Sequence, residues 1–171
     1  ALPPALAGRD LIGTAQTGTG KTAAFVLPLL QTLITKPTRP GRVRALIITP
    51  TRELAEQVHA AVRQLGKLTK VKSATIYGGV GMGPQEQALR RGTEVIVACP
   101  GRLLDHMGRG NVDLSSVEVL VLDEADRMLD MGFLPDVRRI VARTPRERQT
   151  MLFSATFAPE LERLARDILR D

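Results

Sequence analysis

Short apolar runs separated by segments of helical period set the layout of this chain. Val43–Ile48, Glu94–Ala98, Val117–Leu122 and Gln149–Phe153 are dominated by Val, Ile, Leu and Met, the pattern of strands buried on both faces. Asp10–Gly13 is a shorter run of the same kind, and Val71–Tyr77 alternates well enough for a further strand. Helices are predicted between them. One follows Gly20 and ends near Thr35, before the loop Lys36–Gly41. Another covers Arg52–Leu65, with Leu54, Val58, Ala61, Val62 and Leu65 on one face. Shorter ones cover Pro84–Arg91, Gly101–Met107, Glu124–Asp130 and Leu134–Val141, and Ala158–Leu169 closes the chain. Ala1–Leu6 reads as a helix fragment. Met128, Met131 and Phe133 sit at helical spacing and read as core.

Apolar strands alternating with helices predict an α/β domain, residues 1–171, with a parallel sheet covered by helices on both faces and right-handed crossovers. Such sheets bind ligands at the carboxyl ends of their strands. The polar clusters fall there: Thr14–Thr22, Thr49–Glu53, Gly78-Gly79, Cys99–Arg102, Asp123–Asp126 and Ser154–Thr156 each come just after a predicted strand.

Composition narrows the partners. With 171 residues, 43% hydrophobic and 25% charged, the chain can bury a core. A net charge of +6 permits a polyanionic partner. Aromatics at 3% argue against base stacking, so a nucleic acid would be held by its backbone. One cysteine, Cys99, excludes an internal disulfide framework and fits a reducing compartment, so a cytoplasmic location is expected. With only two histidines beside it, a structural zinc site lacks ligands. No apolar run reaches membrane-spanning length, so no membrane partner is expected.

The candidate chemistry begins at Ala15-Gln16-Thr17-Gly18-Thr19-Gly20-Lys21-Thr22, between a strand and a helix. Glycines let backbone N–H groups turn around an anion, and the helix N-terminus adds free donors. Lys21 can meet the outer phosphates, and Thr22 can ligate Mg²⁺. The alternative is a glycine-rich turn capping a helix. Asp123-Glu124 supplies the acidic half: Asp123 to hold Mg²⁺ and Glu124 to orient or deprotonate the attacking water. Alone, these acids could merely cap the next helix; together the two clusters complete a Mg²⁺–nucleoside triphosphate site. No Asn-Lys-x-Asp guanine-reading motif is present, which favours ATP over GTP.

At Asp123-Glu124-Ala125-Asp126 the chain resembles the DEAD-box family of ATP-dependent RNA helicases. Ala15–Thr22, Pro50–Ala55, Gly78-Gly79 and Ser154-Ala155-Thr156 match further family motifs in order. The resemblance implies a first RecA-like domain, with ATP and Mg²⁺ as cofactors. It further implies single-stranded or short duplex RNA held by Pro50, Thr51, Arg52, Gly79, Pro100, Gly101 and Arg102. Arg52 and Arg102 could instead pair with nearby acids such as Glu53. Cys99 stands where the family usually has Thr and is expected to be a small buried residue outside the RNA contacts. Asp126, Ser154 and Thr156 are implied to couple nucleotide state to strand separation, although Thr156 could also cap the closing helix. Adenine is read in the family by a Gln upstream of where this sequence begins, and a second RecA-like domain completes the site. The chain is therefore expected to be one half of a helicase, nearly inactive alone. A catalytically silent RNA scaffold and a DNA helicase domain are the competing readings.

Overall fold

The computed structural model describes residues 2–14, 19–36 and 41–170. In chain order the elements are α1 (Leu2–Leu6), β1 (Leu11–Gly13), α2 (Thr19–Thr35), β2 (Ala45–Ile48), α3 (Arg52–Leu65), β3 (Ser73–Ile76) and α4 (Met82–Arg90). They continue as β4 (Val95–Ala98), α5 (Pro100–Gly108), β5 (Val119–Leu122), α6 (Ala125–Asp130), α7 (Leu134–Val141), β6 (Gln149–Phe153) and α8 (Pro159–Ile168). The six strands form one sheet in the order β1-β6-β5-β2-β4-β3, with every pairing parallel.

The near-continuous apolar strands are buried on both faces because alternate side chains enter two separate cores. Leu46, Ile48, Ile96, Leu120, Leu122 and Leu152 point to the core capped by α5, α6, α7 and α8. Ala45, Ile47, Val97, Val121, Met151 and Phe153 point to the core capped by α1, α2 and α3. Each element expected from the pattern is present, mostly shorter at the strands. Val43 and Arg44 precede β2 rather than opening it. The Arg44 side chain is buried and donates to the carbonyls of Leu33, at 3.0 Å, and Lys36, closing the end of α2, while its Nε pairs with Glu118. Asp10 lies outside β1; its carboxylate accepts from the backbone N–H groups of Thr150 and Arg170 and so ties the two ends of the chain to the sheet.

Helix starts differ where proline or glycine chemistry applies. Helix α5 begins at Pro100, whose missing N–H costs nothing in a first turn. Helix α4 begins at Met82, before Pro84. Helix α3 runs over the expected range, but its buried stripe is Ala55, Val58 and Val62; Leu65 is exposed and Leu54 only half-buried. Met131 is likewise exposed, at the turn after α6, whereas Met128 is buried and Phe133 packs against the core. No helix among the described residues is long and apolar enough to cross a membrane.

Candidate nucleotide and nucleic-acid site

Parallel pairing brings the six strand ends to one edge, and the strand order sorts the loops that leave them. On one side lie the ends of β1, β6 and β5, carrying Thr14, Ser154 and Asp123. On the other lie the ends of β2, β4 and β3, carrying Thr49–Arg52, Cys99–Arg102 and Tyr77–Gly79. The backbone ladder continues past the strands to fix these loops: Ser154 N donates to Gly13 O, Asp123 N to Ile48 O, Thr49 N to Ala98 O and Cys99 N to Ile76 O.

On the first side, Ala15, Gln16, Thr17 and Gly18 lie outside the described residues. Thr19 and Gly20 open α2, Lys21 is buried and Thr22 is half-buried, all in the first turn. Lys21 Nζ is 2.7 Å from Asp123 Oδ1, and both side chains are almost wholly shielded from solvent. Asp123 Oδ2 has no hydrogen-bond partner among the described residues. Burial pushes the Asp123 carboxyl above its usual range, against the opposing pull of Lys21. A buried carboxylate with an unsatisfied oxygen, facing one lysine and the first turn of a helix, suits a hard cation that brings its own oxygen ligands.

Glu124 comes next, with φ 53° and ψ 53°, the left-handed region, and is the one described non-glycine residue with positive φ. It occupies the cap position of α6, but its carboxylate makes no capping bond; Oε1 lies 3.7 Å from the Arg127 guanidinium. Asp126 is held from two directions. Its N–H donates to Ser154 Oγ at 3.1 Å, and Thr156 Oγ1 donates to its Oδ2 at 3.3 Å. Ser154 Oγ in turn donates to Thr156 O at 2.6 Å, so the β6 loop and the acidic loop form one unit. Thr156 does not cap the closing helix; Ala158 holds that position.

On the second side, Thr51 caps α3, its Oγ1 accepting from Leu54 N at 3.2 Å. Pro50 is buried beneath it. Arg52 is exposed in the first turn and lies over the Tyr77 ring, 5.1 Å from its centroid. Tyr77 OH donates to Glu56 Oε1 at 2.8 Å. Gly79 sits at φ +82°, a conformation that favours glycine, close to Arg52. Pro100 and Gly101 open α5, and Arg102 Nη1 donates to Val80 O at 2.8 Å. Neither Arg52 nor Arg102 forms an ion pair among the described residues, so the alternative of pairing with Glu53 is not what the structure has. Cys99 is half-buried rather than buried, and burial pushes its thiol up.

Sequence reasoning missed two supports. Gly13 ends β1 against Phe153: a Cβ there would lie 2.5 Å from the Phe153 ring. Gln85, His106 and Asn111 form a polar chain behind Arg102. Neither carried a local signal, because both depend on strands or helices distant in sequence.

The family model described as DEAD/DEAH box helicase matches residues 1–164. The chain belongs to the DEAD/DEAH box helicase family. It is 49% identical over 172 residues to the ATP-dependent RNA helicase DDX42 of Homo sapiens, covering 99% of this chain and 18% of that protein. It is 51% identical to the DEAD-box ATP-dependent RNA helicase 30 of Arabidopsis thaliana, covering 99% and 29%. The chain thus spans less than a third of the length of these relatives. Among solved structures, the yeast DEAD-box splicing factor Prp28 superposes with a TM-score of 0.92 at 34% identity, covering 99% of this chain and 42% of that one. A DEAD box protein from Methanococcus jannaschii gives 0.91 at 39%, covering 99% and 46%. The fold is the family's first RecA-like domain, an α/β parallel sheet with helices on both faces.

Proposed function

We propose that this domain is the ATP-binding half of a cytoplasmic, ATP-dependent RNA helicase. It would work with a second RecA-like domain to separate short RNA duplexes. The observation that carries the reading is the buried Lys21–Asp123 contact of 2.7 Å at the carboxyl edge of the sheet. A lysine and a carboxylate desolvated together are a costly pair, and at a helix N-terminus the lysine suits a phosphate and the carboxylate a cation. The relatives, ATP-dependent RNA helicases by name, support ATP and RNA as the ligands.

In this reading Gly20 and the first turn of α2 bind the phosphate chain, with Ala15–Thr19 completing the loop. Lys21 leaves Asp123 for the outer phosphates. Thr22 and Asp123 would hold Mg²⁺, which when bound neutralises phosphate charge. Glu124, whose carboxylate makes no capping bond, holds the attacking water and accepts its proton. Asp126, Ser154 and Thr156, tied by their shared bonds, couple nucleotide state to strand separation. Pro50, Thr51, Arg52, Gly79, Pro100, Gly101 and Arg102 hold the RNA backbone, mostly through helix N-termini and guanidinium groups.

Titration with a fluorescent ATP analogue tests the phosphate site. The chain is expected to bind it, and Lys21→Ala to lose at least about tenfold in affinity, as for a buried charge contact. Equal binding by both proteins removes the assignment. Duplex unwinding by this domain alone would overturn the need for a second one.

A further inference from the structure

Arg102 is anchored by a chain of hydrogen bonds in which the arginine and a backbone carbonyl fix the orientation of the Gln85 amide. Its Nη1 donates to Val80 O at 2.8 Å and to Gln85 Oε1 at 3.2 Å. Arginine can only donate, so this end of the Gln85 amide must be the oxygen. The other end agrees, since Gln85 Nε2 donates to Tyr77 O at 2.9 Å. With Oε1 an acceptor, His106 Nε2 at 2.9 Å must carry a proton. His106 Nδ1 lies 3.1 Å from the Asn111 amide, which donates to it when the ring is neutral. Gln85 and His106 are both buried. The chain runs from the turn after β3, through α4 and α5, to the loop before β5; Gln85 and His106 are its buried middle, and Arg102 is half-buried.

We propose that Gln85 is a positioning residue for RNA, fixing Arg102 and the Gly78–Val80 turn as one phosphate cradle. The proposal rests on the RNA reading above and adds a residue that touches no RNA. Gln85 joins the two RNA segments by binding one partner from each: Tyr77 O, next to Gly78, and Arg102 of α5. One guanidinium nitrogen is used for this anchoring. Arg102 Nε and Nη2 carry no hydrogen bond among the described residues and stay available to a phosphate. A free arginine loses much rotamer freedom on binding, whereas this one is already ordered. His106 and Asn111 hold the amide in the orientation that allows it.

The test is a double-mutant cycle on this chain, read by anisotropy with a fluorescein-labelled oligouridylate across a salt series. Arg102→Ala is expected to weaken binding about tenfold and to lower the salt slope by about 1. Gln85→Met, of similar volume but without the amide, is expected to weaken it about fivefold with unchanged affinity for the ATP analogue. The double variant should lose less than the two single losses added together, because much of the Gln85 effect passes through Arg102. Additive losses, or no loss in Gln85→Met, overturn the positioning role while leaving the RNA reading intact. No loss in Arg102→Ala overturns the RNA reading itself. Gln85→Ala, which leaves space instead of filling it, repeats the cycle if the Met variant misfolds. In the unmodified chain, the Gln85 amide protons should exchange slowly with solvent in NMR spectra; fast exchange also overturns the proposal.

Discussion

Glu124 is held in a left-handed backbone conformation at φ 53°, where an L-residue costs about 1–2 kcal/mol and glycine almost nothing. Its side chain makes no capping bond that would offset this. The strain is kept without a compensating bond, so stability and function should part company here. Glu124→Gly is expected to raise unfolding stability by about 1 kcal/mol in urea melts while removing ATP hydrolysis in an assembled helicase. Glu124→Gln should leave stability near its starting value and keep nucleotide binding. Turnover should fall by about 10² to 10⁴, the usual share of a general base. Equal stability of the Gly variant and the unmodified chain would mean that the backbone is not strained. The acidic residues were legible as chemistry once Asp123-Glu124 was set beside Gly20-Lys21-Thr22. The left-handed turn was not, because a non-glycine residue at positive φ has no sequence signature.

Among the elements, β1 shows how neighbouring strands limit residue choice. Gly13 pairs with Phe153, and the Phe153 ring occupies the space a Cβ would take. That ring is almost fully buried and stacks, tilted, against Phe25 of α2 at 5.4 Å. It therefore has little room to retreat. Gly13→Ala is expected to destabilise the domain by about 2 kcal/mol, seen as a fall of several degrees in Tm. Because β1 leads directly towards the proposed phosphate loop, nucleotide affinity should fall with it. An unchanged Tm would show that Phe153 moves freely. From sequence, Gly13 was simply the last residue of an apolar run. The apolar periodicity located every strand, but only to within a few residues. Flanking pairs such as Val43-Arg44 look like strand until Arg44 is seen turning to the end of α2. In the same way, Leu65 and Met131 fit a helical stripe, yet they lie exposed at helix ends.

At the scale of the whole molecule, two histidines couple stability to pH. Burial lowers the His106 pKa below 6.5, helped by Arg102 and Arg109 and opposed by Glu86 and Asp105. Burial and Arg63 lower His59 likewise, against Glu56 and the bond to Ser73. A histidine held neutral when folded contributes stability that is fully present above its unfolded value near 6.5. That stability is lost as pH falls from there towards the folded value. Protonated His106 would also turn a second donor towards Asn111. Replacing it by His106→Gln keeps one donor and one acceptor but removes the titration. Stability measured between pH 7.5 and about 5 should therefore fall less steeply in His106→Gln than in the unmodified chain. Parallel profiles would show that His106 stays neutral throughout.

The sequence by itself determined the alternation of strands and helices, the parallel sheet and the chemical type of each cluster. Those come from local periodicity and from residues that must stand side by side, such as Gly20-Lys21-Thr22 and Asp123-Glu124. In chain order, however, the clusters read phosphate loop, arginine, glycine pair, arginine, acids, Ser-Ala-Thr, with the two kinds of chemistry interleaved. Only the strand order β1-β6-β5-β2-β4-β3 gathers Lys21, Asp123 and Ser154 on one half of the sheet edge, and Arg52, Gly79 and Arg102 on the other. That order is set by which apolar faces pack together across the sheet, a balance of long-range contacts that no local window of sequence contains.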